Sequence, residues 1–143
     1  MSVKTIVKTV SSEDEESNSF QSVPIEMIVT IPENNDKEAN KRIPISITLR
    51  NVNDSREMSK LQCYHYAIPK RDSNEIIDLP LLDTPNDWIS EVTRNVSIST
   101  AKKYGKPCYT AWSSSQSKSQ GISPMEQLYI LKKCINILDS IIV

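Results

Sequence analysis

The chain has 143 residues, enough for one domain that buries about two-thirds of the surface its unfolded form exposes, so folding requires neither disulfides nor a structural metal. Its 17 basic and 18 acidic residues leave a formal net charge of −1, without the basic excess of a dedicated nucleic-acid binder, which sets nucleic acid aside as a partner. No segment reaches the apolar length that spans a bilayer, and the alternating start MSVKTIVKTV lacks the unbroken apolar stretch of a signal peptide, so no membrane partner is expected.

Val3 to Val10 alternates and predicts a first strand with one face partly wet. Ser11 to Ser19 carries four acids and no apolar side chain; its burial cannot offset the entropy of ordering, and a mobile acidic loop is expected at 11–19. Ile25, Met27, Val29 and Ile31 share one face of a second strand, and the Pro32 to Asp36 turn and the charged 37–42 connection end it. Ile43, Ile45, Ile47 and Leu49 alternate with Pro44, Ser46 and Thr48, a pattern that predicts a third, half-buried strand. A fourth run, Met58 to Ile68, sets Leu61, Cys63, His65 and Ala67 against Gln62, Tyr64, Tyr66 and Ile68. Ile76 to Leu82 is a fifth, shorter strand, and the short polar connections between these runs suit an antiparallel meander better than βαβ crossovers.

Thr84-Pro85-Asn86-Asp87 then opens a helix with a hydroxyl at the N-cap, proline at the first position and an acid at the third. That arrangement satisfies orphan backbone N–H groups and suits the positive end of the helix dipole. Trp88 or Ile89, Val92, Val96, Ser99 and Lys103 form its inward stripe, and Gly105 with Lys106-Pro107 ends it. Cys108 to Trp112 is a brief sixth strand, followed by a polar loop at 113–121. Ser123-Pro124-Met125-Glu126 opens a last helix with Leu128, Leu131, Ile135, Leu138 and Ile142 on one stripe and Ile130, Cys134, Ile137 and Ile141 beside it. The expected fold is α+β: an antiparallel sheet of about six strands packed against two main helices, as a single domain over 1–143.

Groups able to do chemistry are scarce. The only histidine, His65, shares a strand face with Cys63, where side chains sit about 6.6 Å apart along the strand, too far for a thiol–imidazole dyad. As metal ligands the two need two more donors, and no CxxC or HxxxH cluster supplies them. Two glycines, Gly105 and Gly121, are too few for a phosphate-cradling loop. Asp83 and Asp87 flank a helix start, where capping accounts for them, and the serines of 113–119 have no nearby histidine or nucleophile elbow. Cys63, Cys108 and Cys134 are widely spaced and sit in apolar patterns, so they read as reduced core residues of a cytoplasmic or nuclear protein. No catalytic, cofactor or metal site is therefore assigned. Candidate partner contacts are the aromatic anchors Trp88 and Trp112, each equally suited to core packing, and the basic cluster Lys102, Lys103 and Lys106.

From Asp78 onward, Leu79-Pro80-Leu81-Leu82-Asp83-Thr84, the helix end Ala101-Lys102-Lys103-Tyr104-Gly105-Lys106, the strand Pro107 to Trp112 and the long terminal helix follow one another in an order that resembles the small proteasome assembly chaperones. The resemblance is strongest to the fungal members of the proteasome chaperone 4 type, and the Ile25 to Asp54 block shares it. It implies obligate pairing with a related sister chaperone and binding of an alpha-type subunit of the proteasome core early in alpha-ring assembly, with release before maturation. The family brings no catalytic residues. A standing adaptor or scaffold subunit of another complex is the alternative, and a small thiol enzyme using Cys63 or Cys108 a more remote one. The two-faced strands and the wide last-helix stripe carry more apolar surface than one small domain hides, which favours a protein partner.

Overall fold

Period-two alternation builds one six-stranded sheet, and two helices of period 3.6 cover one of its faces. The computed structural model describes residues 3–10, 25–32, 43–51, 60–71, 73, 75–85, 87–114 and 124–142. The acidic segment 11–19, the 37–42 connection, residues 115–121 of the polar loop and the Ser123 cap lie outside the described residues. The strands are β1 (Val3–Val10), β2 (Ile25–Pro32), β3 (Ile45–Asn51), β4 (Lys60–Pro69), β5 (Ile76–Leu82) and β6 (Cys108–Ser114). The helices are α1 (Asp87–Tyr104) and α2 (Pro124–Ile141).

The sheet order is β1-β2-β3-β6-β4-β5. β1, β2 and β3 form the expected antiparallel meander, and β4 with β5 an antiparallel hairpin. The meander does not run on from β3 to β4. β6 inserts between them, antiparallel to β4 and parallel to β3, with Ile45 opposite Cys108, Ile47 opposite Thr110 and Leu49 opposite Trp112. The path β5-α1-β6 is thus a crossover that passes over β4, against the expectation that crossovers are absent. The reason is the 18-residue helix α1, about 27 Å long, which carries the chain back along the sheet and covers the intervening strand on the way.

The inward residues make one core: Ile25, Met27 and Val29 of β2, Ile45, Ile47 and Leu49 of β3, Cys63 and Ala67 of β4, and Cys108 and Trp112 of β6. Each fully buried aliphatic side chain here stabilises the fold by about 1.5–3 kcal/mol. Of the β1 side chains described, Ile6 joins this face, while Lys4 and Lys8 on the same face and Thr5 and Val7 on the other stay exposed, so this edge strand is wet on both sides rather than on one. The Leu61-Cys63-His65-Ala67 face breaks at its first member. The register shifts between Leu61 and Cys63, and Leu61 is left exposed beside Tyr64, Tyr109 and Ala111 on the opposite face. A one-residue irregularity in a strand moves a side chain across the sheet in this way.

Both helices also turn differently from the expected stripes. α1 buries Trp88, Ile89, Val92, Thr93, Val96, Ser97, Thr100 and Ala101, while Ser99 is half-buried and Lys103 exposed. Small hydroxyl residues replace large apolar ones because each finds a backbone acceptor. Thr93 donates to the Ile89 carbonyl at 2.7 Å, Thr100 to Val96 at 2.7 Å and Ser97 across to Cys108 at 3.0 Å. Regular helix begins at Asp87 rather than Pro85, because Asp83 ties the corner: its Oδ1 accepts from the Thr84 N–H at 2.9 Å and the Ser90 hydroxyl at 2.8 Å. On α2 the buried ridge is Ile130, Cys134 and Leu138, with Leu131, Ile137, Ile141 and Ile142 partly buried, whereas Leu128 is exposed. β6 continues through Ser113 and Ser114, so strand rather than loop occupies those two positions.

Candidate protein-interaction site

α1 lies over β4, β5 and β6, and α2 lies against α1 and β1. Among the described residues nothing covers the other face of the sheet. That face is not polar. At its centre Tyr66 stacks on Tyr109, with ring centroids 4.4 Å apart, and Tyr64 tilts against Tyr109 at 5.8 Å. The cluster forms because Tyr66 is directly opposite Tyr109 in the β4–β6 register and Tyr64 is opposite Ala111, which leaves room for the ring. Burial pushes the phenol pKa values of Tyr64 and Tyr66 upward, with the neighbouring Tyr109 adding to both, so these rings present neutral hydroxyls.

The apolar surface widens toward the β5 edge. Ile77 pairs with Ile68 and Leu79 with Tyr66, so both project on the tyrosine side, and they are 39% and 47% exposed. Leu81 and Leu82, at 54% and 43%, continue the exposure. A hollow of about 130 Å³ opens beside the tyrosines between Thr48, Leu61, Tyr64, Tyr109 and Ala111. Toward β1 the face becomes amphipathic, with Arg50 bonded to Glu26 at 3.4 Å and Thr5 to Thr30 at 3.2 Å beside Ile28 and the exposed Val7. The sequence held half of this in view as the mixed far faces of its strands. It gave no signal that both helices would pack on one side.

The anticipated contact residues separate. Trp112 is 1% exposed and Trp88 9%, and they meet edge-to-face with centroids 5.1 Å apart, so both fill the core beneath α1. Neither is presented outward, and of the two roles open to them packing is the one this geometry displays. Lys102 and Lys103 are exposed in the last turn of α1, Lys106 is half-buried just beyond it, and Lys103 is bonded to Asp139 of α2 at 2.6 Å. This cluster lies at the helix layer, away from the tyrosine face.

The cysteines are not arranged as nucleophiles. Cys63 directs its thiol to Asp83 Oδ1 at 3.8 Å, and burial pushes its pKa up to about 11. Burial likewise pushes Cys108 up to about 11 and Cys134 to about 12. A catalytic thiol needs the opposite shift. His65, 2% exposed, bonds Asp78 through Nδ1 at 3.1 Å, and Asp78 also pairs with Arg94 of α1 at 3.4 Å. Neither Asp78 nor Asp83 was foreseen beside His65 and Cys63. They arrive through the β4–β5 hairpin register, in which Ala67 faces Asp78 and His65 faces Pro80.

A two-layer α+β domain whose described residues leave an aromatic sheet face uncovered has the build of a protein-binding module. The family model for 20S proteasome chaperone assembly proteins 3 and 4 matches residues 1–139. Proteasome chaperone 4 of Saccharomyces cerevisiae is 33% identical over 151 aligned positions, which cover 98% of this chain and 97% of that protein. A chain in the crystal structure of a novel chaperone complex for yeast 20S proteasome assembly superposes with a TM-score of 0.70 at 33% identity, covering 98% of both chains. The chain belongs to the family of 20S proteasome chaperone assembly proteins 3 and 4, whose members are non-catalytic assembly factors.

Proposed function

We propose that this chain pairs through its bare sheet face with a related sister chaperone, and that the pair holds an alpha-type subunit of the proteasome core during early alpha-ring assembly and departs before the particle matures. The observation that carries the pairing is the Tyr64–Tyr66–Tyr109 cluster with Ile77 and Leu79 beside it, left uncovered among the described residues while both helices pack on the other sheet face. A contiguous aromatic and aliphatic patch of this kind is what a stable partner interface uses as its centre. Docking on the face is favoured over strand addition at the β5 edge, because Pro80 in mid-strand has no N–H to offer a neighbouring strand.

The alpha-subunit contact is assigned to the helix layer, which pairing through the sheet leaves free. The exposed Lys102 and Lys103, with Lys106 beside them, give that layer a cationic corner suited to acidic loops of a ring subunit. Release follows when a later subunit competes for the same space, so the mechanism is a difference in affinity between partly built and finished rings. The setting expected for this work is the cytoplasm or nucleus.

Affinity purification of the tagged chain tests the proposal. One related chaperone and precursor alpha-type subunits are expected to co-purify, with mature core particle absent. Recovery at constant one-to-one stoichiometry in a finished complex would instead identify a standing adaptor.

A further inference from the structure

Three side chains from two parts of the chain converge on the helix side of β4. Cys63 and His65 are buried on that strand, and Asp83 stands exposed at the corner between β5 and α1. One donor atom from each lies within 4.8 Å of the other two. Tetrahedral zinc with bonds of about 2.0–2.3 Å places its ligands about 3.5 Å apart, so binding would draw the three atoms together by up to about 1.3 Å.

The histidine supplies a second, independent indication. Asp78 is an ion-pair partner of Arg94, so its carboxylate accepts, and His65 Nδ1 must donate to it. Nε2 is then the nitrogen with an available lone pair, and it is fully buried without a hydrogen-bond partner. Leaving a buried polar atom unpaired is costly, and a ligand at Nε2 would remove that cost. A carboxylate bonded to the far nitrogen of a ligating histidine is the usual way such a ring is oriented toward a metal.

We propose that Cys63 Sγ, His65 Nε2 and a carboxylate oxygen of Asp83 form a zinc site, with water at the fourth position, that clamps β4 to the β5–α1 corner. A sulfur, nitrogen and oxygen set suits zinc, since calcium and magnesium reject thiolate and copper(I) rejects carboxylate. Binding releases the Cys63 thiol proton to solvent, giving a thiolate–zinc bond, and the exposed Asp83 side offers the entry path. The site is separate from the tyrosine face, so it would stabilise the fold without occupying the surface assigned to a partner.

The test uses the full-length chain, stripped with a chelator, reloaded with zinc or cobalt(II) and freed of excess metal. One zinc per chain is expected, together with a higher Tm and a thiolate-to-cobalt charge-transfer band. Asp83→Asn keeps an acceptor for Thr84 and Ser90 but removes the charge, and is expected to weaken zinc binding at least tenfold while the metal-free form stays folded. Cys63→Ser is expected to abolish the charge-transfer band, and Cys134→Ala to leave binding unchanged. Failure to take up stoichiometric zinc, uptake unaltered by Asp83→Asn, or a cobalt spectrum without the thiolate band would each overturn the site.

Discussion

Tyr104 Oη donates a 2.6 Å hydrogen bond to Asp139 Oδ1, the same oxygen that Lys103 Nζ reaches at 2.6 Å. One carboxylate therefore joins the last turn of α1 to the last turn of α2. The bond from Lys103, followed by that from Tyr104, holds the Asp139 carboxyl below its ordinary value. Burial, followed by the bond to Asp139, pushes the Tyr104 phenol up. Tyr104→Phe is expected to destabilise the chain by about 1.5 kcal/mol, a hydrogen bond to a charged acceptor, and Asp139→Asn by a similar amount. A double-mutant cycle in urea should give a coupling of about 1 kcal/mol, and additive losses would show that the bond contributes nothing. A lowered folded pKa contributes stability above the unfolded value and loses it as pH falls through the folded one. The difference between wild type and Asp139→Asn should thus be full at neutral pH and close below about pH 3.8.

Gly105 follows α1 with φ at +64° and donates its N–H to the Ala101 carbonyl at 2.9 Å. A Cβ built there meets nothing within 4 Å, so the cost of Gly105→Ala is purely the left-handed backbone. It is expected to be about 1 kcal/mol, read as a lower urea midpoint with an unchanged m-value. A loss several times larger would mean that the turn makes contacts beyond its backbone.

Strands β1 to β6 were legible because Ile25-Met27-Val29-Ile31 and Ile45-Ile47-Leu49 alternate without interruption, and Gly105 marked the end of α1. What the alternation could not reveal was pairing. Nothing local to Cys108–Ser114 says that it sits beside β3 as well as β4; that follows from α1 covering β4 and returning the chain to mid-sheet. The same blindness hid the bare aromatic face. Tyr64, Tyr66 and Tyr109 are 45 residues apart at the extremes and meet only through register, whereas the visible Trp88 and Trp112 went to the core. Thr93, Ser97 and Thr100 were passed over as inward residues because their backbone partners are invisible to a hydropathy pattern.

Alkaline pH offers a check on the buried thiols. Cys108 and Cys134 are raised from 9.0 to about 11 and about 12 by burial. A raised folded pKa contributes stability that is full below the unfolded value and lost as pH climbs toward the folded one. Unfolding free energy should accordingly fall between pH 9 and 11 by about 1.4 kcal/mol per pH unit for each thiol. Cys134→Ala should flatten that slope by one proton, even though the cavity it leaves lowers stability at pH 7. An equal slope in the variant would place the titration elsewhere.

Leu79 and Leu128 are matched probes of where the sister chain sits. Both are about half exposed, at 47% and 50%, but Leu79 stands beside Tyr66 on the bare sheet face and Leu128 on α2 in the helix layer. Neither contributes much to the core, so Leu79→Asp and Leu128→Asp should each change the stability of the lone chain by no more than about 0.5 kcal/mol. Their effects on pairing should diverge. Burying a new carboxylate against Tyr66 and Tyr109 would leave a desolvated charge at the centre of the proposed interface, which costs about 3 kcal/mol or more and weakens the complex at least a hundredfold. Leu128→Asp should pair as wild type in analytical ultracentrifugation and lose only the capture of ring subunits. The reverse pattern would move the sister's seat to the helices and leave the tyrosine face to the ring, because each surface can be closed by only one of the two partners at a time.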